Sequence, residues 1–538
     1  MLGFSFRKFR VHLIVATLIA ALASFLVPTD AKEIAKDPKP VSYKYDLVIY
    51  GGTPSGVMAA LAAKRMGLRV VLISPTETVG GAMSNGVNAT DLIKPGIIGG
   101  IPKEYFDLVK KASGKKGSYR VSASTAERVF QVMLANEKVE VRLTTKVLEA
   151  TIAGSKITCL KMTSAESFCA NEFIDSSYTG DLMPLTKTAF NLGRKDLFKY
   201  KDYQEMKPEF RSRFTLPEEM TPVEKTSLGL LPFMQHPENF DPNQVDLTSG
   251  MPTMTFRFCM TKDKTGRKLQ LYPEDKKYIP AWKMIVKAAY AEGCANCHNS
   301  AAHKVTRFFT LAVVAGRKWD ANSTNSFTNF PIPLSYFESP NTRNATNKLA
   351  SHYIESFMAF LQSDESPTET DRLTLSGFGM CSDEWTDNNN IPYEPYIREG
   401  RRLLGQQTVT ANDLIKGNNP PDSIGLGFYP TDNKLTLSIQ YKNVLYRDYT
   451  RFGSSTVFHL PYSIMVPRTG PDNLLVSVGV SASPLGYSAL RMEPHYMQLG
   501  QAAGVAAAQA IKENVDVGHV NIKEVQDKLV SWEQRIEF

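Results

Sequence analysis

The chain has 538 residues, more than a single core normally organises, so two domains, or one interrupted by another, are expected. With 43% hydrophobic, 22% charged and 10% aromatic residues, its composition excludes a disordered or fibrous chain and suits a globular enzyme. The net charge of +8 is mild and the basic residues are scattered rather than striped, so no nucleic-acid-binding patch is expected.

At the N-terminus Arg7, Lys8 and Arg10 precede an apolar run from Leu13 to Val27, then Pro28 and the small-residue site Thr29-Asp30-Ala31. This is the pattern of a secretory signal over residues 1–31. The apolar run is 15 residues long, short of the ~20 that a spanning helix needs. Removing 1–31 takes three of the 62 basic and one of the 54 acidic residues and leaves +6. The mature protein is thus expected to be periplasmic or secreted, with no membrane span of its own. Residues 32–44, rich in Lys and Pro, read as a linker.

A first nucleotide-binding part is expected over 45–190. Tyr45–Tyr50 reads as a buried strand, Gly51-Gly52-Thr53-Pro54-Ser55-Gly56 as a tight loop, Val57–Met66 as a helix and Arg69–Ile73 as a second buried strand. That is a βαβ unit, and its loop sits where pyrophosphate-binding loops sit. Thr53 departs from the G-x-G-x-x-G pattern, and Ser74 stands where an acidic residue commonly binds the ribose, with Glu77 three residues on, read equally as a substitute or as a solvated loop charge. Glu140–Ala150 reads as a further strand, followed by a hairpin over 156–174. Cys159 and Cys169 flank its turn, either as a cross-strand disulfide or as two buried thiols.

Residues 191–459 change texture to polar, Pro- and Asn-rich loops with short helices, and read as an inserted mixed α+β substrate domain. Regular structure returns over 460–515, with a strand at Leu474–Val478 and a Gly/Ala-rich helix at Met497–Ile511, and 516–538 is a C-terminal tail. The fold class is therefore α/β, a doubly wound, Rossmann-like domain interrupted by an insertion. Cys259 and Cys381 show no evident partner. Cys294-Ala295-Asn296-Cys297-His298 is a C-x-x-C-H sequence, open to three readings: a haem c attachment that would make a flavocytochrome, a local disulfide, or a metal site.

Several ordered segments together resemble the FAD-dependent oxidoreductases whose opening reads like YGGTPAG. They are YGGTPSG (50–56), Gly80-Gly81, FIDSSYTGDLMPL (173–185), RKWDANST (317–324), YIREGRRLLG (396–405), PDSIGLGFYPTD (421–432), LPYSIMVPR (460–468) and RMEPHYMQLGQAAGVAAA (491–508). The resemblance implies an FAD whose pyrophosphate lies at Gly51–Gly56, with Ser74, Gly80, Gly81, Val147, Gly180 and Asp181 as further cofactor contacts. Gly500 and Gln501, taken as the start of the last helix, would face the pyrimidine edge of the ring, where a helix dipole stabilises negative charge.

The activity so implied is hydride transfer between a small-molecule substrate and flavin, with an electron acceptor the sequence does not name. Arg398 and Arg491 are expected to orient the substrate and His495 or Tyr496 to move its proton. Arg401 and Arg402 stand equally well as a salt-bridge cluster. A different class of function, ligand or glycan binding on a degenerate flavoprotein fold, is motivated by the departures at Thr53 and Ser74.

Overall fold

Three four-residue runs, β2 (Leu47–Tyr50), β3 (Val70–Ile73) and β8 (Glu172–Asp175), are buried at every position, as parallel strands covered on both faces must be. In the computed structural model they form the middle of a five-stranded parallel sheet, flanked by β4 (Glu140–Arg142) beside β3 and β16 (Leu474–Val476) beside β8. The structure describes residues 41–538 apart from 92–93, 115–118, 201–211, 233, 242–252, 292, 294–296, 301–302, 315, 324–327, 434–437, 448–449 and 452–455. The expected signal over 1–31 lies outside the described residues. Ser42–Phe538 form one compact unit.

The strand order β16-β8-β2-β3-β4 reverses direction at β2, because the chain runs outward through β3 and β4 and returns to the other side as β8. That is a topological switch point, where loops at the carboxyl ends of the strands leave a crevice. Between β2 and β3 lies α1 (Pro54–Arg65), and α2 (Gly100–Ser113) and α3 (Ala123–Asn136) follow before β4. The expected strand at 140–150 is in fact two. Glu140–Arg142 closes the parallel sheet, whereas β5 (Val147–Ala153) joins an antiparallel sheet with β6 (Lys156–Met162) and β7 (Ser167–Cys169). Cys159 and Cys169 are register partners in the β6–β7 hairpin and are disulfide-bonded. β1 (Ser42–Lys44), grouped by composition with the linker, adds to this sheet parallel to β7.

The second core is built around β9 (Thr253–Thr255), β10 (Phe258–Thr261), α4 (Ile279–Ala291), β11 (Phe309–Val314), β12 (Lys318–Ser323) and the 23-residue α5 (Pro340–Gln362). Trp282 of α4 donates its indole N–H to the Tyr353 hydroxyl of α5 at 3.0 Å, amid Phe357 and Phe360. Cys259 and Cys381 are disulfide-bonded across 122 residues. The pairing escaped sequence reading because nothing local signals it.

Residues at the end of the expected insertion belong to the first core. β14 (Ser423–Gly427) pairs with β15 (Phe458–Pro461), and Val409, Leu414, Ile424, Leu426, Phe458 and Leu460 pack with the nucleotide-domain residues. The expected tail is also structured: α8 (Ile522–Ser531) buries Val525 and Leu529 in the same core. After β16 come α6 (Pro484–Leu490) and α7 (Glu493–Glu513), the latter lying along α1. Glycine makes that approach possible: a Cβ on Gly500 would fall 2.0 Å from the Ser55 carbonyl oxygen, and one on Gly504 2.3 Å from that of Ala59.

Candidate active site

The β2–α1 loop is shaped by contacts that a side chain would destroy. Gly51 has φ 117°, and a Cβ there would meet the Ser176 backbone at 2.4 Å; one on Gly56 would lie 2.0 Å from the Gly51 carbonyl oxygen. Thr53, the departure from the glycine fingerprint, has a local cause. Its hydroxyl accepts from the Gly56 N–H at 3.2 Å, capping α1, and donates to the Ser176 carbonyl at 2.8 Å, while Pro54 occupies the first helical turn. The buried N–H groups of Gly52, Thr53 and Ser55 have no protein acceptor among the described residues. Orphan donors at a helix N-terminus behind a glycine turn form an anion cradle.

Neighbouring loops wall this cradle. Gly80 donates its N–H to the Gly52 carbonyl at 2.7 Å. The Ser477 hydroxyl meets those of Ser55 and Ser176 at 2.8 Å each. A Cβ on Gly81 would strike the Tyr178 hydroxyl at 2.6 Å. That hydroxyl accepts from the Ala82 N–H at 2.9 Å and donates to Glu493 at 2.8 Å. Burial pushes the Glu493 carboxyl up to about 8, against lowering by Tyr178 and Arg491. The FIDSSYTGDL turn is held by Asp175, whose carboxylate accepts from the Ser177 N–H and hydroxyl and the Leu182 N–H at 2.7 to 2.9 Å.

Other expected cofactor contacts are placed differently. Ser74 is fully buried with its hydroxyl donated to the Thr78 carbonyl at 3.2 Å, and Glu77 is exposed. Val147 gives its N–H to the Tyr50 hydroxyl at 3.3 Å. Gly180 turns the chain at φ 63°, and Asp181 pairs with Arg343 at 3.1 Å and Arg401 at 3.5 Å. Burial raises the Asp181 carboxyl, but the two arginines outweigh it and hold it below the usual range. The Gly/Ala-rich helix α7 begins at Glu493, so Gly500 and Gln501 are not at its start. Gly500 is committed to the α1 contact, and the Gln501 side-chain amide oxygen accepts from the Ile101 N–H at 2.7 Å.

Two residues expected to move protons are occupied. His495 accepts from the Phe428 N–H through Nε2 at 3.2 Å, which leaves Nδ1 protonated toward the Leu490 carbonyl at 3.3 Å. Burial pushes its imidazole down to about 4. With both nitrogens on backbone, it is a neutral structural histidine. Tyr496 shares a 2.8 Å bond with the Tyr487 hydroxyl, which donates to the Val478 carbonyl at 3.1 Å, and burial carries its phenol well above the ordinary range. Arg402 is likewise structural, fully buried on Glu399 and Asp196 at 2.8 and 2.7 Å.

Arg398 and Arg491, by contrast, come together. β9 pairs with β13 (Tyr396–Ile397), and the Arg398 N–H bonds the Thr253 carbonyl at 2.9 Å, which brings Arg398 beside Arg257. The Arg491 guanidinium donates to the Tyr396 hydroxyl at 2.6 Å and to Asp432 at 3.1 Å. The charge centres of Arg257, Arg398 and Arg491 lie 6.0, 5.0 and 6.0 Å from the Tyr396 ring centroid. Tyr429 donates its hydroxyl to Asp91 at 3.4 Å beside this group. Tyr396, Tyr429 and Asp432 lie inside segments that carry the family resemblance, whereas Arg257 and Asp91 had no sequence signal.

Among the described residues no group of His, Cys, Asp and Glu is placed to hold a metal, and no helix is long and apolar enough to cross a membrane. Cys297 is disulfide-bonded, which leaves it no thiol for a thioether; Cys294 and the side chain of His298 lie outside the described residues.

Residues 46–529 match the sequence pattern of a family described as FAD dependent oxidoreductase. Among solved structures, the flavin-dependent brominase Bmp2 is 11% identical, over 91% of this chain and 83% of its own, with a TM-score of 0.39. A flavin-containing monooxygenase from Stenotrophomonas maltophilia is 19% identical over 25% of this chain and 38% of its own, with a TM-score of 0.20. The bacillithiol disulfide reductase of Staphylococcus aureus is 16% identical over 29% and 43%, with a TM-score of 0.20. This chain thus spans less than half the length of the monooxygenase and the reductase.

Proposed function

The chain belongs to the FAD dependent oxidoreductase family, and from that premise we propose that it exchanges a hydride between flavin and a small molecule held around Tyr396. The observation that carries the cofactor assignment is the set of orphan N–H groups of Gly52, Thr53 and Ser55 in a loop where Gly51 and Gly56 admit no side chain. These donors would take the pyrophosphate. When bound, FAD supplies two-electron exchange with the substrate.

The protein's own residues bind and orient. Arg398 and Arg491 hold the substrate against Tyr396. Tyr429 and Asp91 move its proton in place of His495, since Asp91 keeps solvent contact and can exchange with water. His495 instead fixes the Phe428 backbone beside them. The disulfides Cys159–Cys169 and Cys259–Cys381 support an oxidising compartment, in keeping with a signal at 1–31 and a periplasmic or secreted location.

The test is spectroscopic and kinetic. The purified protein is expected to be yellow, to bleach with dithionite, and to bleach anaerobically with one member of a small-molecule panel. Asp91→Asn is then expected to keep the flavin and lower turnover about a hundredfold or more. A protein that retains no FAD after reconstitution, or an Asp91→Asn variant with unchanged turnover and pH profile, defeats the corresponding part.

A further inference from the structure

Three buried arginines meet at Tyr396, and the fold provides hydrogen-bonded partners inside the protein for two of them. Arg257 forks onto Asp320, through Nε at 2.8 Å to one oxygen and through Nη2 to the other. Asp320 is anchored in turn by the N–H groups of Asn88 and Ala89 at 3.1 and 3.0 Å. Arg491 donates to the Tyr396 hydroxyl at 2.6 Å, to the Asp432 carbonyl at 2.9 Å and to the Asp432 carboxylate at 3.1 Å.

Arg398 is different. It is only 7% exposed, and among the described residues its nearest carboxylate oxygen, on Asp432, is 3.9 Å away and its Nε has no hydrogen-bond partner. A buried guanidinium short of acceptors is costly, and two like charges nearby add to the cost. The missing group is an anion with acceptors for a planar fork. We propose that Arg398 receives the carboxylate of the substrate, so that the enzyme acts on small monocarboxylic acids; this rests on the functional reading above.

The class follows from shape and charge. A carboxylate presents two coplanar oxygens that match the planar guanidinium fork, and the Tyr396 ring centroid lies 5.0 Å from the Arg398 charge centre. A second negative charge is disfavoured, because Asp320 and Asp432 already pair with Arg257 and Arg491 beside the ring. Phosphate esters and dicarboxylates are therefore poorer occupants than a monoanion.

The experiment uses the flavin-loaded protein titrated with acetate, benzoate, acetamide, benzamide and inorganic phosphate, read by the flavin difference spectrum and the melting temperature. The carboxylates are expected to bind at least about tenfold more tightly than their amides and than phosphate. Arg398→Gln is expected to weaken the carboxylates about tenfold or more, and Arg398→Lys, which keeps charge and loses the fork, to fall between. The wild-type carboxylate-to-amide comparison needs no variant, so it stands if Arg398→Gln does not fold. Equal binding of amides, tighter binding of phosphate, no binding of either class, or wild-type affinity in folded Arg398→Gln overturns the proposal. Absence of flavin would defeat the functional reading instead; it shows in the spectrum, whereas the melting shift with benzoate is read with or without the cofactor.

Discussion

Arg398 and Arg491 share one carboxylate unequally: Arg491 reaches Asp432 at 3.1 Å and Arg398 stops at 3.9 Å. The second distance is beyond hydrogen bonding. Replacing Arg491 would release Asp432 to the nearer remaining guanidinium, Arg398. Arg491→Gln is therefore expected to weaken binding of benzoate although Arg398 is intact, and the Arg398→Gln/Arg491→Gln double variant to lose less than the two single losses combined. A double-mutant cycle on benzoate affinity checks this, and additive losses would show that the two arginines do not compete.

The cradle has no room for a methyl group at Gly56, where a Cβ would lie 2.0 Å from the Gly51 carbonyl oxygen. Gly56→Ala is expected to move the loop that carries the orphan N–H groups and to cost about 1–3 kcal/mol of stability. The measurable outcome is a purified protein with a greatly reduced flavin-to-protein absorbance ratio and a lower melting temperature. Full flavin occupancy in this variant would place the pyrophosphate elsewhere.

His495 makes a prediction about acid. Burial holds its imidazole at about 4 in the fold against an ordinary value of 6.5. Between those values the unfolded chain carries the proton and the folded protein does not, so stability rises with pH across the window. The contribution is complete above about pH 6.5 and is lost as pH falls toward 4. Melting curves from pH 4 to 7 are expected to show a steeper acid-side fall for the wild type than for His495→Gln. At neutral pH that variant, once folded, is expected to retain turnover within a few-fold, and a much larger loss would restore His495 to the proton-transfer step.

The Cys259–Cys381 disulfide closes a loop between residues 122 apart, whereas Cys159–Cys169 spans only 10. Loop-closure entropy grows with length, so replacing the first pair with alanines is expected to cost about 2–5 kcal/mol, and more than replacing the second. Thermal unfolding of the two double variants checks the order, and equal or inverted losses would count against it.

The βαβ opening, the glycine loop, the Cys159–Cys169 hairpin and the family were legible in the sequence because each depends on neighbours within a few tens of residues: strand periodicity, a turn that demands glycine, and cysteines placed opposite one another by a short turn. Arg398 and Arg491 were singled out by residue type, and the fold brings both toward Asp432. Their division of labour was not legible, since it turns on whether Asp432 lies at 3.1 or 3.9 Å.

Only the tertiary structure could assign His495 to the backbone, Gly500 to the contact with α1, and Val409, Leu414, Ile424, Leu426 and Phe458 to the first core rather than to the insertion, because these depend on groups tens to hundreds of residues away in the chain. The same holds for Thr53. As a sequence letter it breaks the glycine fingerprint; in the fold it caps α1 and bonds to Ser176, 123 residues on. Local physics determined which elements form and that Gly51–Gly56 makes a tight glycine turn at the start of α1. Which side chains keep a free hydrogen bond for a ligand was decided by packing, where most buried donors find an acceptor and Arg398 Nε is one of those that find none among the described residues.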